Sequence, residues 1–204
     1  HDLSPVLDES LVDEVVHLVE WPVPLVGTFP EALLELPREV LVTSMATHQR
    51  YFALESSPGE LANAFAFVSN MVVPDPDVVI AGNLRVLLAR LEDARFFYRE
   101  DRKRSLESRL PDLDAVTYID ALGSVRDRVA RIEALAARLA SICYGDEKVA
   151  GDAARAAHLC KADLVTGMVT EFTELQGTMG RYYALADGER AEVATAIEEH
   201  YRPR

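Results

Sequence analysis

The chain has 204 residues, of which 49% are hydrophobic and 27% are charged, which is the balance of a globular protein with its own core. This composition excludes a disordered or low-complexity chain, and no apolar run is long enough for a membrane span or a signal peptide. With only two cysteines, a disulfide framework is excluded and a reduced, cytoplasmic location is expected. Because the chain opens on His1 rather than Met, we expect it to be a piece of a longer protein.

The formal net charge of −13 is distributed unevenly along the chain. Residues 1–84 hold two basic and thirteen acidic side chains, residues 85–138 hold twelve and ten, and residues 139–204 hold seven and eleven. The acidic beginning would repel a polyanion, whereas the middle tolerates one. Net charge therefore neither favours nor excludes a nucleic-acid partner.

The first half of the chain alternates helical and β patterns. Apolar periodicity and the positions of proline predict a helix over 9–20, an edge strand or extended segment over 21–27, helices beginning at Pro30 and at Pro37, and a hairpin over 51–70. The second of the proline-started helices is expected to end near Gln49. These elements together predict a mixed α/β domain.

From residue 78 onward the apolar period is helical. The pattern predicts helices over 78–100, 120–141, 153–164, 165–172, 175–184 and 191–201, with a short helix interrupted at Pro111. The change from mixed α/β to all-α falls near residues 110–118. We therefore expect an α+β protein in which residues 1–112 form the mixed domain and residues 113–204 form a helical one.

No constellation in the sequence predicts catalysis. The five histidines and two cysteines lack the spacings of a zinc site, and the segment from Gly177 to Gly180 lacks the strand and the Lys-Ser/Thr ending of a phosphate loop. There is no Gly-x-Ser-x-Gly nucleophile elbow. We expect neither catalytic residues nor a metal site in this chain.

One helix combines cations with aromatic side chains, which suits contact with phosphates and bases. The candidate RNA-binding residues are Arg90, Arg95, Arg99, Arg102, Lys103 and Arg104. Helical spacing predicts that residues 95, 99 and 102 share one face, with Phe96 and Phe97 turned inward. The alternative is a structural helix, whose cations pair with the interleaved acids Glu92, Asp93, Glu100, Asp101 and Glu107.

Several stretches together resemble the beta subunit of the bacterial heterotetrameric glycyl-tRNA synthetases. They include ARLEDARFFY at residues 89–98 and EFTELQGTMGRYYA at residues 171–184. The others are residues 18–22, 36–41, 48–52, 67–70, 82–83, 122–125, 161–166 and 201–204. The resemblance runs in order through nearly the whole chain. The sequence departs from the family at Leu84, where a glutamate usually follows Gly82 and Asn83.

The resemblance implies a part in an enzyme of two alpha and two beta subunits (α2β2) that attaches glycine to tRNA(Gly). In that family the alpha subunit holds the aminoacylation site, so ATP and Mg are expected there and no cofactor is expected on this chain. The beta subunit binds tRNA. We therefore expect a non-catalytic tRNA-binding and assembly fragment in the cytoplasm, without a membrane partner.

The helical half resembles the domain that relates these beta subunits to the metal-dependent HD phosphohydrolases. Those enzymes need a His-Asp pair and further ligands to activate water. The only such dipeptide here is His1-Asp2, outside that domain, while Asp163 stands without a histidine where the pair is expected. We read the fold as retained, the hydrolase as lost, and Asp163 as a salt-bridged or capping residue. A metal-dependent phosphohydrolase and a scaffold without RNA contact stay open as alternatives.

Overall fold

A computed structural model describes residues 3–203, and the chain forms two compact units that divide between Phe96 and Phe97. A small antiparallel sheet with helices is followed by helices, so the predicted α+β class is confirmed. The units divide earlier than residue 112, because Leu106, Leu110 and Leu113 are buried in contact with later helices. The domain boundary that the sequence suggested at residue 112 stays a prediction.

The first unit is built around a four-stranded antiparallel sheet in the order β1-β3-β4-β2. Its elements are β1 (Ser4–Pro5), α1 (Glu9–Leu18), β2 (Val23–Thr28), a 3₁₀ turn (Glu31–Glu35), α2 (Arg38–Gln49), β3 (Phe52–Ser57), β4 (Glu60–Ser69) and α3 (Pro76–Asp101), of which residues 97–101 belong to the second unit. Strand β2 lies at the sheet edge, as its prolines predicted. The predicted hairpin is β3-β4, and both proline-started elements begin where expected.

Apolar side chains from the sheet and three helical elements form the core of the first unit. Leu33, Leu41, Met45, Phe65 and Leu87 are each at most 1% exposed. Burying each such side chain contributes on the order of 2 kcal/mol to the stability of this unit. The apolar periodicity of α3 is therefore explained by its packing.

The second unit contains helices of four to twenty residues with short 3₁₀ turns between them. Its further elements are α4 (Leu106–Arg109), 3₁₀ Leu110–Ala115, β5 (Thr117–Ile119), 3₁₀ Asp120–Leu122, β6 (Gly123–Ser124), α5 (Val125–Tyr144), α6 (Glu147–Leu159), 3₁₀ Ala162–Val165, α7 (Gly167–Glu171), 3₁₀ Thr173–Leu175, α8 (Thr178–Ala186) and α9 (Ala191–Glu199). The first residue of α4 follows a serine cap, and Pro111 starts the 3₁₀ turn that ends it. Within residues 3–203, no helix is both long and apolar enough to cross a membrane.

One predicted helix began too early. The expected start at Asp120 is wrong, because residues 117–124 form a small antiparallel pair, β5-β6, before helix α5 begins at Val125. The Ser124 hydroxyl accepts a hydrogen bond from the Asp127 N–H at 3.1 Å, and the Asp127 carboxylate accepts one from the Ser124 N–H at 2.9 Å. This capping box fixes the start of the helix.

Candidate nucleic-acid interface

The six predicted RNA-binding cations lie along helix α3 and in the turn that follows it. Arg90 and Arg95 are half-buried, whereas the four from Arg99 onward are exposed. Helix α3 ends at Asp101, so Arg102, Lys103 and Arg104 come after it. The backbone N–H groups of Lys103 and Arg104 close its end on the carbonyls of Glu100 and Asp101. Cations are favoured at this end by the helix dipole.

Acidic side chains of this chain hold Arg95, Lys103 and Arg104. The Arg95 guanidinium pairs with Glu35 at 2.5 Å and with Glu92 at 3.6 Å, and the first of these hydrogen bonds raises the arginine pKa. Lys103 pairs with Glu100 at 2.5 Å and Arg104 pairs with Asp112 at 3.1 Å. The pairing expected of Glu92 and Glu100 in the structural alternative is therefore present. Ion pairs at a protein surface stabilise a fold only weakly.

Arg102 differs from these three. Its guanidinium carbon lies 5.2 Å from the centre of the Tyr98 ring, and that ring stacks at 6.1 Å on the Tyr183 ring. In residues 3–203 the Arg102 side chain has no carboxylate partner. An exposed arginine that rests on an aromatic face keeps its fork of N–H donors available for a phosphate or a base.

Phe96 does not turn inward, so this part of the sequence-based prediction is wrong. Its side chain is 59% exposed, while Ala94, two positions earlier, is fully buried. Two helical steps rotate a side chain by about 200°, which carries Phe96 away from the buried face. Phe97 is half-buried, and a Cβ atom at Gly167 would lie 2.6 Å from its ring, so Phe97 does pack inward.

A buried polar network holds the last turn of α3 in the second unit. The Arg109 guanidinium donates to the Asp101 carbonyl at 2.8 Å and to its carboxylate at 3.3 Å. The same carboxylate accepts from the backbone N–H groups of Gly167 and Met168, at 2.9 and 2.8 Å, and from the Tyr183 hydroxyl at 3.0 Å. Both charged side chains are only 6% exposed. Asp101 therefore caps helix α7 and orients the turn that presents Arg99 and Arg102.

The sequence did not single out this network. Asp101 was grouped with the acids of an exposed helix face, and Arg109 was left unassigned. The signal lies in the spacing, since Arg109 follows the buried Leu106 by three positions and precedes the buried Leu113 by four. An arginine on an apolar helical face requires a buried anion as its partner. Glu107 likewise does not pair with the α3 cations, because it contacts Arg155 and lies 3.2 Å from His158 Nε2.

Asp163 is the capping residue that the sequence suggested. One carboxylate oxygen accepts from the N–H groups of Gly177, at 2.5 Å, and Gly180, at 3.2 Å, which open helix α8. The other oxygen has no hydrogen-bond partner among residues 3–203 and the side chain is fully buried. Burial raises the pKa of Asp163 to about 6, although both N–H donors act in the opposite direction. This charge stays inside the fold and does not face a ligand.

The close approach of helix α8 to Asp163 depends on two glycines. Gly177 has a φ of 82°, in the left-handed region that favours glycine. A Cβ atom at Gly180 would lie 2.7 Å from Ile197 Cγ2 and 3.1 Å from the Asp163 carboxylate. The sequence segment from Gly177 to Gly180 is thus explained by packing on a buried carboxylate.

Metal-ligand geometry is missing from the part of the chain that the structure describes. Among residues 3–203, no three His, Cys, Asp or Glu side chains are grouped so as to hold a metal ion. The His1-Asp2 dipeptide lies outside the described residues. The lack of a metal and the lack of catalytic residues in this chain stay predictions.

Comparison with known proteins decides which family this architecture represents. The family described as "Glycyl-tRNA synthetase beta subunit" matches residues 1–204. The chain belongs to this family. A relative named glycine–tRNA ligase beta subunit from Neisseria gonorrhoeae is 53% identical over 97% of this chain and 28% of its own length. The proteins of the same name from Methylobacillus flagellatus and Nitrosomonas europaea are each 50% identical over 99% of this chain. The chain spans little more than a quarter of these relatives.

Proposed function

We propose that this chain is a tRNA-binding and assembly part of the beta subunit of a glycine–tRNA ligase, in which an alpha subunit attaches glycine to tRNA(Gly). The observation that carries the proposal is the family match across residues 1–204. The relatives are named as ligase beta subunits, which implies an alpha-subunit partner. We place ATP and Mg on that partner.

The contact with tRNA centres on Arg102 and Arg99 at the end of helix α3. The Arg102 guanidinium is exposed, rests on the Tyr98 ring and has no carboxylate partner among residues 3–203. Arginine binds a phosphate through two parallel N–H donors and also stacks on an unpaired base. Arg95, Lys103 and Arg104 contribute positive potential, although each is shared with an acid of this chain.

A scaffold role is the second candidate, and it is favoured by those same ion pairs. Acids of the chain already bind Arg95, Lys103 and Arg104, as expected of a segment that serves only the fold. Kinetics of the assembled ligase separate the two roles. We expect Arg102→Gln to raise the KM for tRNA several-fold while the KM values for glycine and ATP stay unchanged, because one phosphate contact is lost.

Arg85→Gln is the matched control, because it removes the same charge from an exposed position on helix α3, well before Arg102. An Arg102→Gln ligase that assembles and charges tRNA with the KM of the Arg85→Gln ligase would assign the helix to the scaffold. We also expect the chain alone to be non-catalytic, which glycine-dependent ATP–pyrophosphate exchange tests directly.

A further inference from the structure

The first unit contains an open cavity of about 310 Å³ between helix α1, the end of helix α2 and strand β4. Its polar lining consists of Gln49, Arg50, Tyr51, Asn70 and Asn83, and the rest of the wall is apolar. Three of the stretches that carry the family resemblance, residues 48–52, 67–70 and 82–83, supply these polar side chains. A cleft of this size in which several polar groups converge is large enough for a small ligand and can orient it.

Two of the polar groups on the cavity wall, Tyr51 and Asn83, are held in fixed orientations. The Tyr51 hydroxyl donates to Asn83 Oδ1 at 2.6 Å, and Asn83 Nδ2 donates to the Val79 carbonyl at 2.8 Å. Burial raises the pKa of Tyr51, so this hydroxyl stays a donor at neutral pH. The Gln49 amide makes no hydrogen bond with any residue in the range 3–203. A carboxamide offers a donor and an acceptor side by side, which matches the edge of a nucleobase.

Arg50 stands at a position that ordinarily belongs to glycine. Its φ of 56° and ψ of 37° are left-handed, and its N–H closes helix α2 on the Ala46 carbonyl at 3.1 Å. A side chain in this conformation costs about 1 kcal/mol relative to glycine. Arg50 is one of only two cations in residues 1–84. The chain thus carries a rare cation, in a strained conformation, beside this cavity.

The Arg50 side chain is only partly engaged. Its Nε donates to Glu14 at 2.8 Å and its Nη1 lies 3.4 Å from the Thr47 carbonyl. Its Nη2 has no partner within residues 3–203, and the side chain is about half exposed. A guanidinium with one free edge, next to a cleft with amide and aromatic walls, provides both parts of a nucleotide site.

We propose that this cavity binds one unpaired nucleotide, with the base against Gln49 and Asn83 and the phosphate on Arg50. The proposal rests on the proposed RNA-binding role and adds a second point of contact to it. The Tyr51 and Phe67 side chains line the cavity but are each only 6% exposed, so they give the base a small apolar surface. Since the surrounding residues are acidic, affinity for a single nucleotide is low and titrations require millimolar ligand.

Nuclear magnetic resonance of the 204-residue chain tests the proposal with nucleosides and nucleoside 5′-monophosphates as probes. We expect the side-chain amides of Gln49 and Asn83 to shift on titration, and each monophosphate to bind more tightly than its nucleoside. The backbone N–H of Trp21 gives a second signal, because it donates to the side-chain oxygen of the cavity residue Asn70 at 2.9 Å. Shifts that are absent from both amides at saturating probe would overturn the proposal.

Arg50→Gly is the decisive variant, because glycine suits the left-handed backbone and the fold is retained. We expect it to weaken monophosphate binding about tenfold and to leave nucleoside binding unchanged, as a lost charged hydrogen bond requires. The matched control is Arg38→Gln, which removes the other cation of residues 1–84, paired with Glu55 at 2.6 Å. Equal monophosphate affinity in Arg50→Gly and the unaltered chain would contradict the assignment of the phosphate.

A single-stranded trinucleotide identifies the source of the nucleotide. If the occupant is part of an RNA, the trinucleotide shifts the same amides and displaces the monophosphate; if it is a free nucleotide, only the monophosphate binds. These readouts do not involve charging or helix α3. If Arg102→Gln leaves the KM for tRNA unchanged while the cavity amides still shift, only the proposed function is refuted. If the KM rises while the cavity amides do not shift, only the cavity proposal is refuted.

Discussion

Asp101 and Arg109 form a buried ion pair that ties the end of helix α3 to helix α4, with the Arg109 guanidinium bonded to both the carbonyl and the carboxylate of Asp101. Each oxygen of that carboxylate has two donors, so the charge is fully compensated. The exposed cations that follow in sequence depend on this anchor for their position. The network thereby connects the core of the helical unit with its candidate RNA contact.

Replacing Asp101 with Asn is expected to destabilise the chain by about 3 kcal/mol. Whichever way the amide turns, its NH₂ group faces donors and leaves them unpaired. Asp93→Asn, an exposed acid on the same helix, is the control and should change stability by less than about 0.5 kcal/mol. Urea unfolding of both variants measures the difference, and equal midpoints would show that the buried pair contributes no stability.

Asp163 makes a specific pH dependence testable. Its pKa rises from an ordinary 3.8 to about 6 in the folded chain, so between these values the folded state binds the proton more tightly than the unfolded state. The free energy of unfolding therefore falls as pH rises through this window. In Asp163→Asn the neutral amide still accepts from Gly177 and Gly180, and this contribution disappears.

The measurement is the free energy of unfolding of both proteins at intervals from pH 4 to pH 7, with the difference taken at each pH so that the other carboxyl groups cancel. We expect the unaltered chain to lose roughly 1–3 kcal/mol relative to Asp163→Asn across this window. Parallel pH profiles would mean that the Asp163 carboxyl is not perturbed by burial.

Gly180→Ala tests the close packing at the start of helix α8. The added methyl group would lie 2.7 Å from Ile197 Cγ2, so we expect a loss of about 1–3 kcal/mol. Gly151→Ala in helix α6 is the control, since a methyl group there meets nothing within 4 Å and should stabilise by up to about 1 kcal/mol. A Gly180→Ala chain as stable as Gly151→Ala would refute the packing role.

Local patterns were sufficient to predict most elements. The prolines before residues 31 and 38 marked two helical starts, and the alternation around Gly59 marked the hairpin. Helix α5 was placed too early because residues 120–124 have a helical apolar spacing, whereas the reciprocal Ser124–Asp127 cap that sets the boundary involves only two side chains.

Long-range polar contacts could not be predicted from the sequence. Asp101 reaches Tyr183 across 82 positions, and Tyr51 reaches Asn83 across 32, with no local periodicity to indicate either pair. Phe96 shows a different cause of error. An aromatic residue inside a helix was expected to be buried. The exposure of Phe96 is instead determined by its angle around the helix axis relative to the buried Ala94, and that angle follows from the sequence spacing alone.

Equilibrium binding of tRNA to the assembled ligase over a salt series tests the central claim most directly. The logarithm of the affinity falls linearly with the logarithm of the salt concentration, and each phosphate contact makes this fall steeper by about 0.9. We predict that Arg102→Gln makes this salt dependence shallower by about one and weakens binding uniformly across tRNA sequences. We predict that Arg85→Gln leaves the salt dependence and the affinity unchanged. An Arg102→Gln ligase with the affinity and slope of the unaltered enzyme would contradict an RNA contact at the end of helix α3.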